Sequence, residues 1–131
     1  MYLQNKMKKI IFILFISVAQ FACSQNTSTT RDADAFKTEI AKPNVVLLDV
    51  RTPEEFAEGH LQGAVNVDFR NENFSSKVDS LDKTKQYEVY CRSGHRSGES
   101  VKLMKEKGFD KVHDLKGGIL NWQEKGNAVV K

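Results

Sequence analysis

The stretch Tyr87-Glu88-Val89-Tyr90-Cys91-Arg92-Ser93-Gly94-His95-Arg96-Ser97 decides the fold. Its first four residues read as a short strand, and Gly98 to Lys107 beyond it reads as a helix. A cysteine therefore stands at the carboxyl end of a strand, on a tight turn that opens into a helix amino terminus. Ligands of α/β folds bind at that end of the strands. A turn rich in small residues aims successive backbone N–H groups at one centre, forming an anion-binding nest. The helix adds its unpaired N–H groups and the positive end of its dipole. Arg92 and Arg96 supply two full charges with forked donors suited to oxyanions.

This cationic bowl has a chemical consequence. A free thiol is only a few per cent thiolate at neutral pH. About 2.7 kcal/mol of preferential stabilisation of the anion makes the thiolate the major form. A nest, a helix end and two arginines suffice for that. A cysteine closing a strand without such neighbours would be an ordinary core residue. Here Ser93, Gly94, Ser97, Gly98 and Ser100 crowd behind it with both arginines, and Cys91 reads as a nucleophile.

Upstream, Val45-Val46-Leu47-Leu48-Asp49-Val50 is a continuous apolar run of strand length, the mark of a strand buried on both faces of a parallel sheet. Thr52-Pro53-Glu54-Glu55 then matches a helix start, with Thr52 as N-cap, Pro53 in the first position and Glu55 as capping-box partner. Gly59 ends that helix. Ala35, Phe36 and Ile40 have helical spacing across Asp32 to Ala41, and Pro43-Asn44 breaks it. Ala64 to Asp68 reads as a short strand, Asn71 to Asp82 as a surface helix, and Phe109 to Leu115 as containing a further strand. Gly117-Gly118-Ile119-Leu120-Asn121-Trp122 reads as a turn and helix, and the tail from Asn127 as an edge segment. His113 reads as structural. Alternating strands and helices imply an α/β sandwich with a mainly parallel sheet.

Cys-Arg-Ser-Gly-His-Arg-Ser resembles the active-site loop of rhodanese-family sulfurtransferases, in which a cysteine carries a sulfane sulfur as a persulfide. Asp49-Val50-Arg51-Thr52-Pro53-Glu54-Glu55-Phe56, with Gly59-His60-Leu61-Gln62-Gly63-Ala64, is similar to a second signature of that family. Gly117-Gly118 with Trp122 is similar to its closing motif. Phosphatases and arsenate reductases of the same superfamily have a Cys-x5-Arg loop; here Cys91 to Arg96 is Cys-x4-Arg, a smaller ring of N–H groups. The resemblance covers about Asp32 to Lys131. It implies a three-layer rhodanese-like sandwich around a five-stranded sheet, with Cys91 catalytic and Arg92, Ser93, Gly94, His95, Arg96 and Ser97 binding substrate. Ser93 and Ser97 either donate to the sulfur or only shape the turn. Asp49 either pairs with a loop arginine or serves as a local cap, and Arg51 reads as a scaffold ion pair. His60 belongs to the fold signature.

The activity implied is transfer of sulfur from thiosulfate or a similar donor to a thiol or cyanide. No metal or organic cofactor is implied, and a monomer is expected. Two rivals stand beside it. One is a phosphatase or arsenate reductase, against which stand the loop length and the lack of an evident acid beside the loop. The other is a non-catalytic persulfide carrier or binding domain.

The amino terminus reads as a targeting segment. Lys6, Lys8 and Lys9 precede an apolar run from Ile10 to Ala19 that is too short to span a bilayer comfortably. Translation starts at Met1 or Met7. Ala19-Gln20-Phe21-Ala22-Cys23 resembles a bacterial lipoprotein cleavage site, with Cys23 as the lipidated residue; ordinary secretion and an uncleaved anchor are the alternatives. Residues 1–22 are then a signal peptide, 23–31 the lipidated cysteine and a polar tether, and 32–131 the domain. Such a protein would sit in the bacterial envelope, facing the periplasm, on the outer rather than the inner membrane. The net charge of +3 over 131 residues comes from those three lysines, because no acid accompanies them in the first 22 positions. A charge-balanced body argues against nucleic-acid binding. Neither cysteine stands in a CxxC or Cys/His cluster, which argues against zinc.

Overall fold

The computed structural model describes residues 28–131. The expected signal segment, Cys23 and most of the tether lie outside them. Five strands, β1 (Thr30–Arg31), β2 (Val45–Asp49), β3 (Val65–Asn66), β4 (Gln86–Tyr90) and β5 (Val112–Leu115), form one sheet in the order β1-β5-β4-β2-β3. Every pairing in it is parallel. Helices α1 (Ala33–Ile40), α2 (Pro53–Glu58), α3 (Phe74–Asp79), α4 (His95–Glu106) and α5 (Gly118–Glu124) complete the α/β sandwich.

The period of two along each strand divides the core. Leu48, Val50, Tyr87, Val89 and Val112 pack with Phe74, Val78, Val101 and Met104 from α3 and α4. Leu47, Tyr90 and Leu115 pack on the opposite face with Ala33, Phe36, Ile119 and Trp122 from α1 and α5. The indole Nε1–H of Trp122 donates to the Ala128 carbonyl (2.9 Å), and its ring meets Phe36 edge to face. Trp122 is thus a core anchor.

The chain leaves β2 toward β3 on one side and leaves β4 toward β5 on the other. Adjacent strands whose connections diverge open a crevice at their carboxyl ends. Cys91 follows β4 at that crevice, and Arg51-Thr52 follows β2.

The expected strand Ala64–Asp68 is confined to Val65–Asn66 and the expected helix Asn71–Asp82 to Phe74–Asp79, and two further local features differ from the sequence reading. Strand β1 pairs with β5, although nothing in the polar stretch before Asp32 announces a strand. Backbone bonds from Asp114 N–H to Thr29 O and from Lys116 N–H to Arg31 O, both 2.8 Å, hold it at the edge. The helix after the cysteine begins at His95 rather than Gly98, because Gly94 adopts φ +108° and completes the reversal within three residues of Cys91. At the other end of the domain, Val130 bridges His60 antiparallel, with both backbone bonds at 2.8 Å.

Candidate active site

Cys91 is 1 % exposed and lies at the floor of the loop, among the core side chains of the α4 face. The Gly94 N–H donates to its Sγ at 3.1 Å. The Sγ–H donates to Ser97 Oγ at 3.4 Å. The N–H groups of His95, Arg96 and Ser97 occupy the first turn of α4, where no helical carbonyl lies above them. The Gly94 N–H and the start of α4 therefore lie at one sulfur. Arg92, Ser93 and His95 are exposed around it, Gly94 and Arg96 are half-buried, and Ser97 is fully buried.

The loop is pinned from behind by α5. Ile119 N–H donates to Cys91 O (2.9 Å) and Leu120 N–H to Arg92 O (3.2 Å). This approach requires Gly118, which has φ +61° and where a Cβ would lie 2.3 Å from the Arg92 carbonyl oxygen. The closing glycine pair seen in the sequence is a backbone contact with the cysteine loop.

Arg96 is held from the side. Its Nη1 and Nη2 donate to Glu55 Oε2 and Oε1 at 2.8 and 2.9 Å. Glu55 is also the capping-box partner, accepting from the Thr52 N–H (3.0 Å) and hydroxyl (3.1 Å). Its hydrogen bonds with Arg96 lead in holding its carboxyl down at about 2. Glu55 thus corrects the expectation that no acid stands beside the loop. It is an ionised clamp at neutral pH and has no proton to give a leaving group.

Asp49 does not pair with a loop arginine. Its carboxylate accepts from Arg51 Nη2 at 2.6 Å, Arg51 Nε at 3.0 Å, the Arg51 N–H at 2.9 Å and the Tyr90 hydroxyl at 2.6 Å. The local reading of Asp49 is the one observed, and Arg51 is the scaffold ion pair its sequence context suggested. Burial works against the Arg51 charge, yet the bonds to Asp49 outweigh it and raise the guanidinium above its ordinary value. Arg51 Nη2 also reaches Gly59 O (2.7 Å), and Tyr90 Oη accepts from Leu61 N–H (3.0 Å). This network fixes the segment 49–61 beneath the loop. His60 belongs to it too, stacked on Phe56 and with Nδ1 at 2.9 Å from Phe56 O.

Asp114 escaped the sequence reading. It is 5 % exposed, and its Oδ2 accepts from Ser97 Oγ at 3.3 Å. Only its alternation with His113 along β5 pointed toward the α4 face. Among the described residues no group of three or more His, Cys, Asp or Glu side chains is disposed to hold a metal ion, and no helix is long and apolar enough to cross a membrane.

Known proteins resemble this domain in sequence and fold. The family model described as Rhodanese-like domain matches residues 32–125. A sulfurtransferase of Allochromatium vinosum is 31 % identical over 87 residues, covering 66 % of this chain and 79 % of that protein. A tRNA uridine(34) hydroxylase of Legionella pneumophila is 34 % identical over 118 residues, 86 % of this chain but 46 % of that protein, so the chain spans less than half of that relative. A rhodanese-related protein from Thermoplasma volcanium superposes with a TM-score of 0.69 at 30 % identity, covering 77 % of this chain and 96 % of that one.

Proposed function

The chain belongs to the family of rhodanese-like domains, and from that premise we propose that it moves a sulfane sulfur through a persulfide on Cys91. The supporting observation is a cysteine seated between a strand end and a helix start, with the Gly94 N–H 3.1 Å from its sulfur and the Ser97 hydroxyl at 3.4 Å. The Cys91 thiolate attacks the outer sulfur of thiosulfate or a related donor. An S–S bond forms to Cys91 as the donor's own S–S bond breaks, and sulfite leaves with that electron pair. Arg92 and the loop N–H groups receive the departing oxyanion, and Arg96 adds its charge from where Glu55 holds it. A thiolate or cyanide then attacks the outer sulfur of the persulfide and restores the Cys91 thiolate.

The loop that favours this chemistry also disfavours its rival. Phosphoryl and arsenate chemistry needs a wider ring and a proton donor for the leaving group. Glu55, a carboxylate beside the loop, is ionised and bound to Arg96 on both oxygens. We further propose that the domain hangs from a bacterial envelope by lipid on Cys23. Mass analysis of the mature amino-terminal peptide checks that: a diacylglyceryl cysteine supports it, and an unmodified or uncleaved terminus removes it.

Intact mass after thiosulfate treatment tests the central reading, with Cys91→Ser alongside. The expected result is a gain of one sulfur atom in the parent protein, lost on adding cyanide and absent in the variant. No gain with thiosulfate, while a phosphate ester or arsenate is turned over, would overturn it.

A further inference from the structure

The Ser97 hydroxyl has one proton and three acceptors within reach: Gly94 O at 3.2 Å, Asp114 Oδ2 at 3.3 Å and Cys91 Sγ at 3.4 Å. The thiol can donate to Ser97 Oγ only while the Ser97 proton points elsewhere. Asp114 supplies that direction. Its other oxygen, Oδ1, accepts from the Thr30 hydroxyl at 2.8 Å, so the carboxyl is fixed between β1 and α4. Sulfur, hydroxyl and carboxyl form a continuous chain: Cys91 Sγ, Ser97 Oγ, Asp114 Oδ2.

We infer that Asp114 is a positioning residue that takes the Cys91 proton through Ser97 and so sets when the sulfur becomes nucleophilic. The inference rests on Cys91 acting as the nucleophile, as proposed above. In the transfer, the Cys91 proton moves to Ser97 Oγ while the Ser97 proton moves to Asp114 Oδ2. One S–H and one O–H bond break, and two O–H bonds form. Thiol plus carboxylate becomes thiolate plus carboxylic acid, the net charge is unchanged and no electron is transferred. The Ser97 hydroxyl is left donating its new proton to the thiolate, beside the Gly94 N–H. When the sulfur is next protonated the same path runs backward.

Burial supports this direction of travel, because it pushes the Asp114 carboxyl up, ahead of the opposing bonds from Thr30 and Ser97. The groups facing that carboxyl are the Thr30 hydroxyl from β1, the Ser97 hydroxyl from α4 and, through Ser97, the Cys91 thiol. The cation of the loop's helix start, Arg96, is already paired with Glu55. One hydroxyl joins Asp114 to Cys91, and two acids coupled in this way release their protons in two macroscopic steps.

The test is the rate of Cys91 alkylation by iodoacetamide across the pH range, with no sulfur donor present. The parent protein is expected to show two steps in its rate–pH profile. Asp114→Asn keeps the shape of the side chain and the Thr30 bond, and is expected to lose the lower step. Ser97→Ala cuts the path while leaving Asp114 in place, and is expected to lose the same step. The double variant should match Ser97→Ala alone. A single-step profile in the parent protein overturns the inference, as does a lower step retained in either variant. Ser97→Ala carries the test by itself if Asp114→Asn does not fold. Failure of sulfur loading from thiosulfate leaves these profiles as they are, so the two readings fail separately.

Discussion

Asp49 and Glu88 are fully buried carboxylic acids on neighbouring strands, β2 and β4, and both point to the α1 face. Around Asp49 every lone pair has a donor: Arg51 reaches both oxygens, its N–H caps one of them, and the Tyr90 hydroxyl takes the other. Glu88 has Arg31 at 3.1 Å and Gln86 at 2.9 Å on Oε1, but its Oε2 has no protein donor. Burial is the leading cause that pushes the Glu88 carboxyl up. Both sites are structural, yet they do different work. The complete network lies at the crevice, where it holds the chain 49–61 in one shape under the cysteine loop. The incomplete one lies one residue pair deeper in the sheet, where Arg31 ties the edge strand to the core. A buried charge specifies geometry when all its bonds are made; with a bond missing it becomes a site whose stability depends on pH.

Breaking the complete network should have the largest effect. Asp49→Ala leaves Arg51 buried with Gly59 O as its remaining acceptor, and a loss of about 3–5 kcal/mol is expected in urea unfolding. A loss below about 1 kcal/mol would show that Arg51 escapes to solvent and that the network is not what fixes the segment. Tyr90→Phe removes a donor to Asp49 and an acceptor for Leu61 N–H, while leaving the ring in the core. About 1–3 kcal/mol is expected for it. Because Cys91 follows directly, this variant should also load sulfur more slowly from thiosulfate.

Glu55 falls between the two extremes: complete in its bonds but partly open to water. Its carboxyl is held at about 2, below its unfolded value, so its stabilisation is present above about pH 4.5 and is lost as pH falls toward 2. With screening by solvent taken into account, Glu55→Gln should cost about 1–2 kcal/mol at pH 7. The difference from the parent protein should shrink on acidification. A difference that stays constant with pH would mean that Arg96 keeps its place without the ion pair.

Much of this was legible in the sequence, for identifiable reasons. The capping box at Thr52 and Glu55, the apolar run of β2 and the cysteine turn are local patterns, and local patterns survive into the fold. What escaped was non-local. Glu55 was read as a cap, which it is, but its second role arises from Arg96, 41 positions away. The sequence leaves Asp49 between a loop arginine and a local partner, because spacing alone does not show which arginine faces inward. Strand β1 escaped because two polar residues carry no periodicity, and their register comes from β5. Asp114 and Glu88 stand inside short strands with no local pattern that marks them as buried. Only the stacking of β1, β5 and β4 buries them.

Glu88→Gln should show the smallest effect and sharpens the comparison most, because the effect moves with pH. The folded carboxyl is raised above its unfolded value. Its contribution is therefore fully present below about pH 4.5 and is lost as pH rises through the folded value. The amide has no such titration, so the variant should gain on the parent protein as pH rises across that window. At pH 7 the two should lie within about 1 kcal/mol of each other, the lost Arg31 pair offsetting the removed burial of a charge. Urea unfolding of both proteins at acid and neutral pH measures the difference, and comparing them cancels the opposite slope that Glu55 gives to each. A difference that does not move with pH would mean that Arg31 and Gln86 fully compensate the bare oxygen. Asp49 and Glu88 would then be two versions of the same satisfied site.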